Sequence, residues 1–288
     1  MLPTERNLSD SLLYMQQQNR VFLDPASREI MKWITRDPGE RAVHDMFTRL
    51  FPQGCGGGAD SQQLGLFLDV GSNAGFYSMV AASYGCQVLS FDPQKACADL
   101  VRRNYCLNGA YPVVARDLVA VINAPVSDVP TTLNLSVPAR CEGVFFLPTG
   151  PGATAKQTVP TTETYQRTSV SLDGLLLNET SLEVYMIKID TEGYEMAVLK
   201  SLKGMLAARR VRHIMIEVTP LFWARDNVPR TDIYSTFLPL LGYGCKIQRV
   251  LDMVANSTAL LDSEDKLREY LVQRDFVQED LLVSCPRA

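Results

Sequence analysis

From about residue 64 to residue 284, short continuous apolar runs alternate with longer stretches in which apolar residues recur every three or four positions. The runs lie at 64–70, 87–91, 119–122, 184–189 and 213–218, with later ones near 245–250 and 280–284. A strand with one wet face alternates apolar and polar, so continuous runs of this length predict strands buried on both faces. Helical periodicity lies between them, at 76–84, 94–108, 194–208, 231–241 and 263–273. Strand and helix in alternation predict an α/β fold with a doubly wound, mostly parallel seven-stranded sheet. The last two strands are close in sequence, so one is expected to run antiparallel. Ahead of the sheet, helices are expected at 27–33 and 40–50, the second with Val43, Met46, Phe47 and Leu50 on one face. A glycine-rich joint at 51–58 follows. The expected division is therefore an N-terminal helical cap and linker at 1–63 and one α/β domain at 64–288. Residues 136–168, with Pro138, Pro148, Pro151 and Pro160, read as irregular.

In open sheets of this kind ligands bind beyond the carboxyl ends of the strands, where the strand order reverses. After the first strand stands Asp69-Val70-Gly71-Ser72-Asn73-Ala74-Gly75-Phe76. Gly71 permits a tight turn, and Gly75 lets the helix start approach the sheet or a ligand closely. Asn73 stands where a dinucleotide fingerprint has the glycine that admits a pyrophosphate, so the turn suits a nucleoside ligand without one. The second strand closes on Phe91-Asp92-Pro93, and Asp92 lies 23 residues after Asp69. A carboxylate there is placed to accept both ribose hydroxyls. It also fits an N-cap followed by proline, and the two roles are compatible.

The fourth strand ends in Lys188-Ile189-Asp190-Thr191-Glu192-Gly193-Tyr194-Glu195, and the fifth in Glu217-Val218-Thr219-Pro220. Charge at such a mouth is costly unless paired or used, which makes Asp190, Glu192 and Glu217 site candidates. Glu195 reads as an exposed first-turn residue favoured by the helix dipole. The three oxygen side chains suit a divalent cation, yet Lys188 supplies the compensating charge, and no metal is expected.

The formal charge of −4, from 28 basic and 32 acidic residues, is too weak a field to point to nucleic acid. Only His44 and His213 are present, so chemistry needing several imidazoles is disfavoured. His44 on an amphipathic helix and His213 at a strand start both read as structural. Seven cysteines without a CxxC pair argue against a zinc cluster and against a full disulfide framework. No apolar run reaches membrane-spanning length. Free thiols favour a cytoplasmic setting. Four N-x-[S/T] sequons, at Asn7, Asn134, Asn178 and Asn256, favour the alternative, a secretory-pathway lumen with a removed anchor.

Together these blocks resemble the FkbM family of class I, Rossmann-like, S-adenosylmethionine-dependent methyltransferases. The resemblance rests on the stretch from Phe67 to Ser78, on Phe91-Asp92-Pro93, on Arg103-Asn104 with Leu107-Asn108-Gly109, and on Asn123-Ala124-Pro125-Val126-Ser127-Asp128. It continues through Ser171-Leu172-Asp173 to its most specific block, Ile187 to Glu195, and ends on Ile216-Glu217-Val218. It implies S-adenosyl-L-methionine as cofactor and O-methylation of a sugar or other hydroxyl-bearing small molecule or glycan. Asp69, Gly71, Ser72, Asn73, Gly75 and Phe76 would hold its methionine end, Asp92 and Pro93 the ribose, and Asn123 with Ala124 the adenine, with Asp190 also at the cofactor. Asp190 or Glu192 would take the acceptor's proton and Glu217 would position the acceptor. The family often has Glu in place of Asp92, which keeps the ribose chemistry. Two other classes remain open. A nicotinamide oxidoreductase lacks support from the missing glycine and from the absence of a Tyr-x-x-x-Lys dyad after the fourth strand. A non-catalytic cofactor-binding module is disfavoured by the intact Asp69, Asp92 and Asp190. Oligomeric state is not legible.

Overall fold

The computed structural model describes residues 12–16, 19–24, 27, 38–51, 55, 65–109, 118–137, 140–141, 145–146, 163–273 and 277–287. Strands β1 (Leu12–Gln16) and β2 (Asn19–Leu23) pair antiparallel, and helix α1 spans Pro38–Leu50. Then come β3 (Leu66–Val70), α2 (Phe76–Ser83), β4 (Gln87–Phe91), α3 (Lys95–Gly109) and β5 (Val119–Ile122). Strands β6 (Thr132–Val137), β7 (Phe145–Phe146) and β8 (Glu163–Thr168) form a small sheet of their own. The chain continues through α4 (Leu172–Leu176), β9 (Val184–Ile189), α5 (Glu195–Lys200), α6 (Lys203–Ala207) and β10 (Val211–Val218). It finishes with α7 (Pro220–Arg225), α8 (Arg230–Gly242), β11 (Lys246–Arg249), α9 (Val250–Val254), α10 (Glu264–Arg268) with a π-helical turn Glu269–Gln273, and β12 (Glu279–Ser284).

The main sheet has seven strands in the order β11-β12-β10-β9-β3-β4-β5. All neighbours are parallel except those of β12, which runs antiparallel to β10 and β11. The expected doubly wound, mostly parallel sheet is therefore present. Every residue of β3 and β9 is buried. By the period of two, Leu66, Leu68 and Val70 face one apolar layer with Ile187, Ile189 and Trp223. Phe67 faces the other, with Phe47, Met79, Met186 and Met215. The strand order reverses between β3, followed by β4 and β5 on one side, and β9 on the other.

Four expectations change. Residues 136–168 are not irregular throughout: β6 pairs with both β7 and β8, and Leu135 and Val137 pack with Leu133 and Tyr165 in a separate small core. The helix expected at 194–208 is broken in two, because the Asp173 carboxylate caps a new start, accepting from Gly204 N at 2.6 Å and Met205 N at 2.9 Å. The joint at 51–58 is anchored at its described positions, with Phe51 fully buried and Cys55 in a disulfide to Cys86. Bridges also join Cys97 to Cys141 and Cys245 to Cys285, leaving Cys106 as the free cysteine among the described residues. The expectation of free thiols fails because spacing along a chain says nothing about which sulfurs meet in space. The helix expected at 27–33 lies outside the described residues except for Ser27. The β1–β2 pair had no signal in the pattern.

Candidate active site

The reversal point brings together the ends of β3, β4, β9 and β10. The turn after β3 has left-handed backbone at Gly71, Asn73 and Gly75 (φ 81°, 50° and 75°). A Cβ on Gly71 would stand 1.7 Å from the Asp190 carbonyl oxygen, so only glycine fits where the turn crosses β9. Gly71 N and Ser72 N both donate to Phe91 O, locking the turn to the end of β4. The Ser72 hydroxyl is buried and has no partner among the described residues.

Asp92 is buried at the end of β4. It accepts from Asn73 N at 2.9 Å on one oxygen and from Gln94 N at 2.8 Å on the other. The expected N-cap is displaced: α3 begins at Lys95 and its first turn closes on Gln94 O, so Asp92 holds a turn ahead of the helix rather than capping it with Pro93 at the first position, and each of its oxygens keeps a second lone pair. Asn123 donates to the carbonyls of Asp92 and Pro93, at 2.8 and 3.0 Å, and Ala124 follows it in the turn. Tyr165, on the small sheet, donates to Pro93 O at 2.9 Å and adds a wall that the sequence did not announce.

Asp69 is wholly buried, accepts from Ser78 Oγ at 2.6 Å and lies in the field of Lys188. Phe76 has its ring in the core, edge-on to His44 and Tyr77, so only its backbone borders the turn. Lys188 donates to Asp190 at 2.6 Å and stands 4.8 Å from the centre of the Tyr77 ring. Its pKa is raised: burial works against the charge, but Asp190, Glu40, Asp69 and Asp280 outweigh it.

Proton affinities at this mouth are spread widely. Burial opposes the charge on Asp190, yet Lys188 and a hydrogen bond from Glu217 bring its carboxyl below the usual range. Glu217 goes the other way, pushed up to about 11 by burial and by Asp190 and Asp280. The proton the two share therefore sits on Glu217, which also accepts from Gln278 Nε2 at 2.6 Å. Glu192 is pushed to about 7 by burial and then by Asp190 and Glu195, and it holds a left-handed φ of 57°. A non-glycine residue in that region is a sign of a site that fixes its geometry from outside. Asp280, opposite Glu217 across the β10–β12 pair, is pushed to about 7 by burial, and sequence reasoning missed it. Glu40 of α1, which accepts from the Tyr77 hydroxyl, was missed as well. His44 and His213 are buried and held down to about 4 by desolvation, in keeping with structural roles.

Glu195 corrects an expectation. It stands in the first turn of α5, but it is fully buried rather than exposed. It accepts from Thr191 N, Thr191 Oγ1, Gly193 N and Thr219 Oγ1 at 3.0–3.1 Å, and from Trp223 Nε1 at 2.7 Å. It therefore ties the turn carrying Glu192 to the end of β10. Replacing it with alanine orphans several buried donors, each costing about 1–3 kcal/mol. Glu195→Ala is expected to lower the unfolding free energy in urea by at least about 3 kcal/mol.

The raised carboxyls also predict a pH dependence. Asp92, Glu192 and Asp280 near 7, and Glu217 near 11, all lie above their unfolded values, so the folded state binds more protons. Stability therefore rises as pH falls from about 8 to 6.5. The two histidines begin to oppose this as pH nears their unfolded value of 6.5, but over this window they offset less than the four carboxyls supply. The ligand-free protein should melt at a higher temperature at pH 6.5 than at pH 8 by scanning fluorimetry.

Among known families, the model for the methyltransferase FkbM domain matches residues 69–276, most of the chain and every strand mouth described above. The chain belongs to the FkbM methyltransferase family. Solved structures similar to this methyltransferase include the O-methyltransferase from Bacillus cereus in complex with SAH, at 11% identity and a TM-score of 0.43, covering 92% of this chain and 91% of that one. The delta-N METTL16 MTase domain is 10% identical with a TM-score of 0.46, covering 91% and 95%. The human methyltransferase 10 domain containing protein is 11% identical with a TM-score of 0.40, covering 88% and 84%. No curated protein matches the chain. Among the described residues no helix is long and apolar enough to cross a membrane, and no group of His, Cys, Asp or Glu is arranged to share a metal ion.

Proposed function

We propose that this FkbM-family protein uses S-adenosylmethionine to O-methylate a hydroxyl of a sugar or other small metabolite. The residues fit that cofactor: the Ser72 hydroxyl is buried and unpartnered among the described residues, and both Asp92 oxygens have spare acceptor capacity beside it. When bound, the cofactor supplies a methyl group on an electron-poor sulfonium. Asp92, with Pro93 beside it, would accept the ribose hydroxyls, the Gly71–Gly75 turn and Asp69 would border the methionine end, and Asn123 and Ala124 the adenine.

The observation that carries the choice of a hydroxyl acceptor is Glu192. A hydroxyl must lose its proton during transfer, and a base works best with a pKa near the working pH. Glu192, at about 7 on the Asp190 side of the turn, meets that need. Asp190 holds its charge against Lys188 and is too weak a base, while its 31% exposed side chain can still accept a hydrogen bond from the acceptor. Glu217, protonated, holds Asp190 in place. Residues 64–288 would form the catalytic unit, with 1–63 as a cap that brings Glu40 to Tyr77. The three disulfides suit an oxidising compartment, and with the four sequons they favour the secretory lumen over the cytoplasm.

A labelled-methyl transfer screen over sugar, lipid-linked and polyketide alcohols tests the reading, preceded by thermal shift with S-adenosylhomocysteine and with NAD(H). Stabilisation by the homocysteine and label on one acceptor class support it. Stabilisation by NAD(H) alone would overturn it in favour of an oxidoreductase.

A further inference from the structure

Two of the three disulfides lie at the amino ends of the parallel strands. Cys86 directly precedes β4, and Cys55 O accepts from Gly65 N, just ahead of β3. Cys245 precedes β11, and Cys285 follows β12, whose end pairs with the start of β10. The third is at the opposite end. Cys97 is buried in the first turn of α3, and Cys141 belongs to the segment that leaves β6 for β7.

That segment touches both residues that hold Asp92. Cys141 Sγ lies 3.0 Å from Asn73 Oδ1, and the side chain of Gln94 donates to Arg140 O. Cys97 Sγ is 3.2 Å from Gln94 Oε1. A bridged sulfur has no hydrogen to give, so the two sulfur contacts are close packing that fixes side-chain positions. The backbone N–H groups of the same two residues, Asn73 and Gln94, are the donors that aim the Asp92 carboxylate. We infer that the Cys97–Cys141 disulfide is a positioning clamp for the cofactor pocket: it presses residues 140–141 onto Asn73 and Gln94 and so holds Asp92 in its ligand-accepting orientation. The clamp rests on the proposed cofactor reading, and it also makes the small β6–β8 sheet a fixed wall of that pocket.

Releasing the clamp should cost part of a charge-assisted hydrogen bond from the ligand to Asp92 and so weaken binding about tenfold. The test is the Kd for S-adenosylhomocysteine, by titration calorimetry, of the wild type, of Cys97→Ser/Cys141→Ser and of Cys245→Ser/Cys285→Ser. Both double variants should melt at lower temperature. Only the first should lose affinity, with the KM for the methyl donor rising in step and kcat falling far less. Equal Kd values in the wild type and the first variant, or equal losses in both variants, would overturn the clamp and leave the methyltransferase reading intact. A wild type that does not bind the homocysteine removes that reading and the clamp together. Should the first variant not fold, the folded wild type is treated with a dithiol, which opens a bridge to two thiols as the reagent closes to a cyclic disulfide. Differential alkylation then identifies the bridge that opened, and the loss of affinity must follow opening of Cys97–Cys141.

Discussion

Asp92→Ala is expected to weaken S-adenosylhomocysteine binding by about 10²–10⁴-fold. Hydrogen bonds to a charged group contribute about 1.5–3 kcal/mol each, and two ribose hydroxyls to one carboxylate give about 3–6 kcal/mol. The alanine also removes the acceptor for Asn73 N and Gln94 N, so the turn and the start of α3 lose their common anchor. Asp92→Asn separates the two effects: the amide keeps the shape and one acceptor, and should fall between wild type and alanine. The pH dependence gives an independent signature. Burial pushes Asp92 to about 7, and the ligand needs the ionised form as acceptor. Affinity in the wild type should therefore fall as pH drops below about 7, the reverse of the trend in ligand-free stability, and the asparagine variant should lose that dependence. Calorimetry at pH 6 and pH 8 on both proteins measures it. A wild-type affinity independent of pH would remove Asp92 from the ribose.

The parts of this site written in one local stretch were legible before the fold was known. The spans of β4, β5 and β9 coincide with their apolar runs, and β9, buried on both faces, carries its burial in composition alone. The Gly71–Gly75 turn and Asp92 were legible for the same reason, since strand, turn and carboxylate lie within one βαβ unit. Groups that depend on pairing across the fold were not. Asp280 is the second residue of its strand, and only the antiparallel course of β12 puts it at the mouth beside Glu217. Glu195 resembles any first-turn glutamate until Thr219 and Trp223, 24 and 28 residues on, close over it. The disulfides join positions 31 to 44 residues apart, and nothing local marks their partners. Local sequence thus named Asp190, Glu192 and Glu217 together, but their different protonation states came only from the packing of β9, β10 and β12.

That difference gives the second large effect. Glu192→Gln should reduce kcat for the acceptor hydroxyl by about 10²–10⁴-fold, the usual contribution of a positioned general base. The amide keeps the size of the side chain, and Arg225 Nη2 donates to the Glu192 backbone carbonyl, a bond the substitution leaves alone. The fold and the cofactor Kd should therefore change little. Wild-type kcat/KM should climb with pH through an apparent value near 7, where burial and the charges of Asp190 and Glu195 set the glutamate, and the glutamine variant should be flat over that range. Glu217→Gln is the contrasting case. Glu217 keeps its proton at neutral pH and donates through it a hydrogen bond to Asp190, and an amide N–H can donate in its place. The loss there should stay within about tenfold, with the wild-type pH profile retained. Glu217→Ala removes the donor, leaves Asp190 to Lys188 alone, and should lower kcat/KM further than the glutamine does. A pH profile that flattens in Glu217→Gln and survives in Glu192→Gln would exchange the two roles. Glu217 already holds a proton and Asp190 is held ionised by Lys188, so the carboxyl able to gain and lose a proton near neutral pH is Glu192, which burial and the Asp190 charge set near 7.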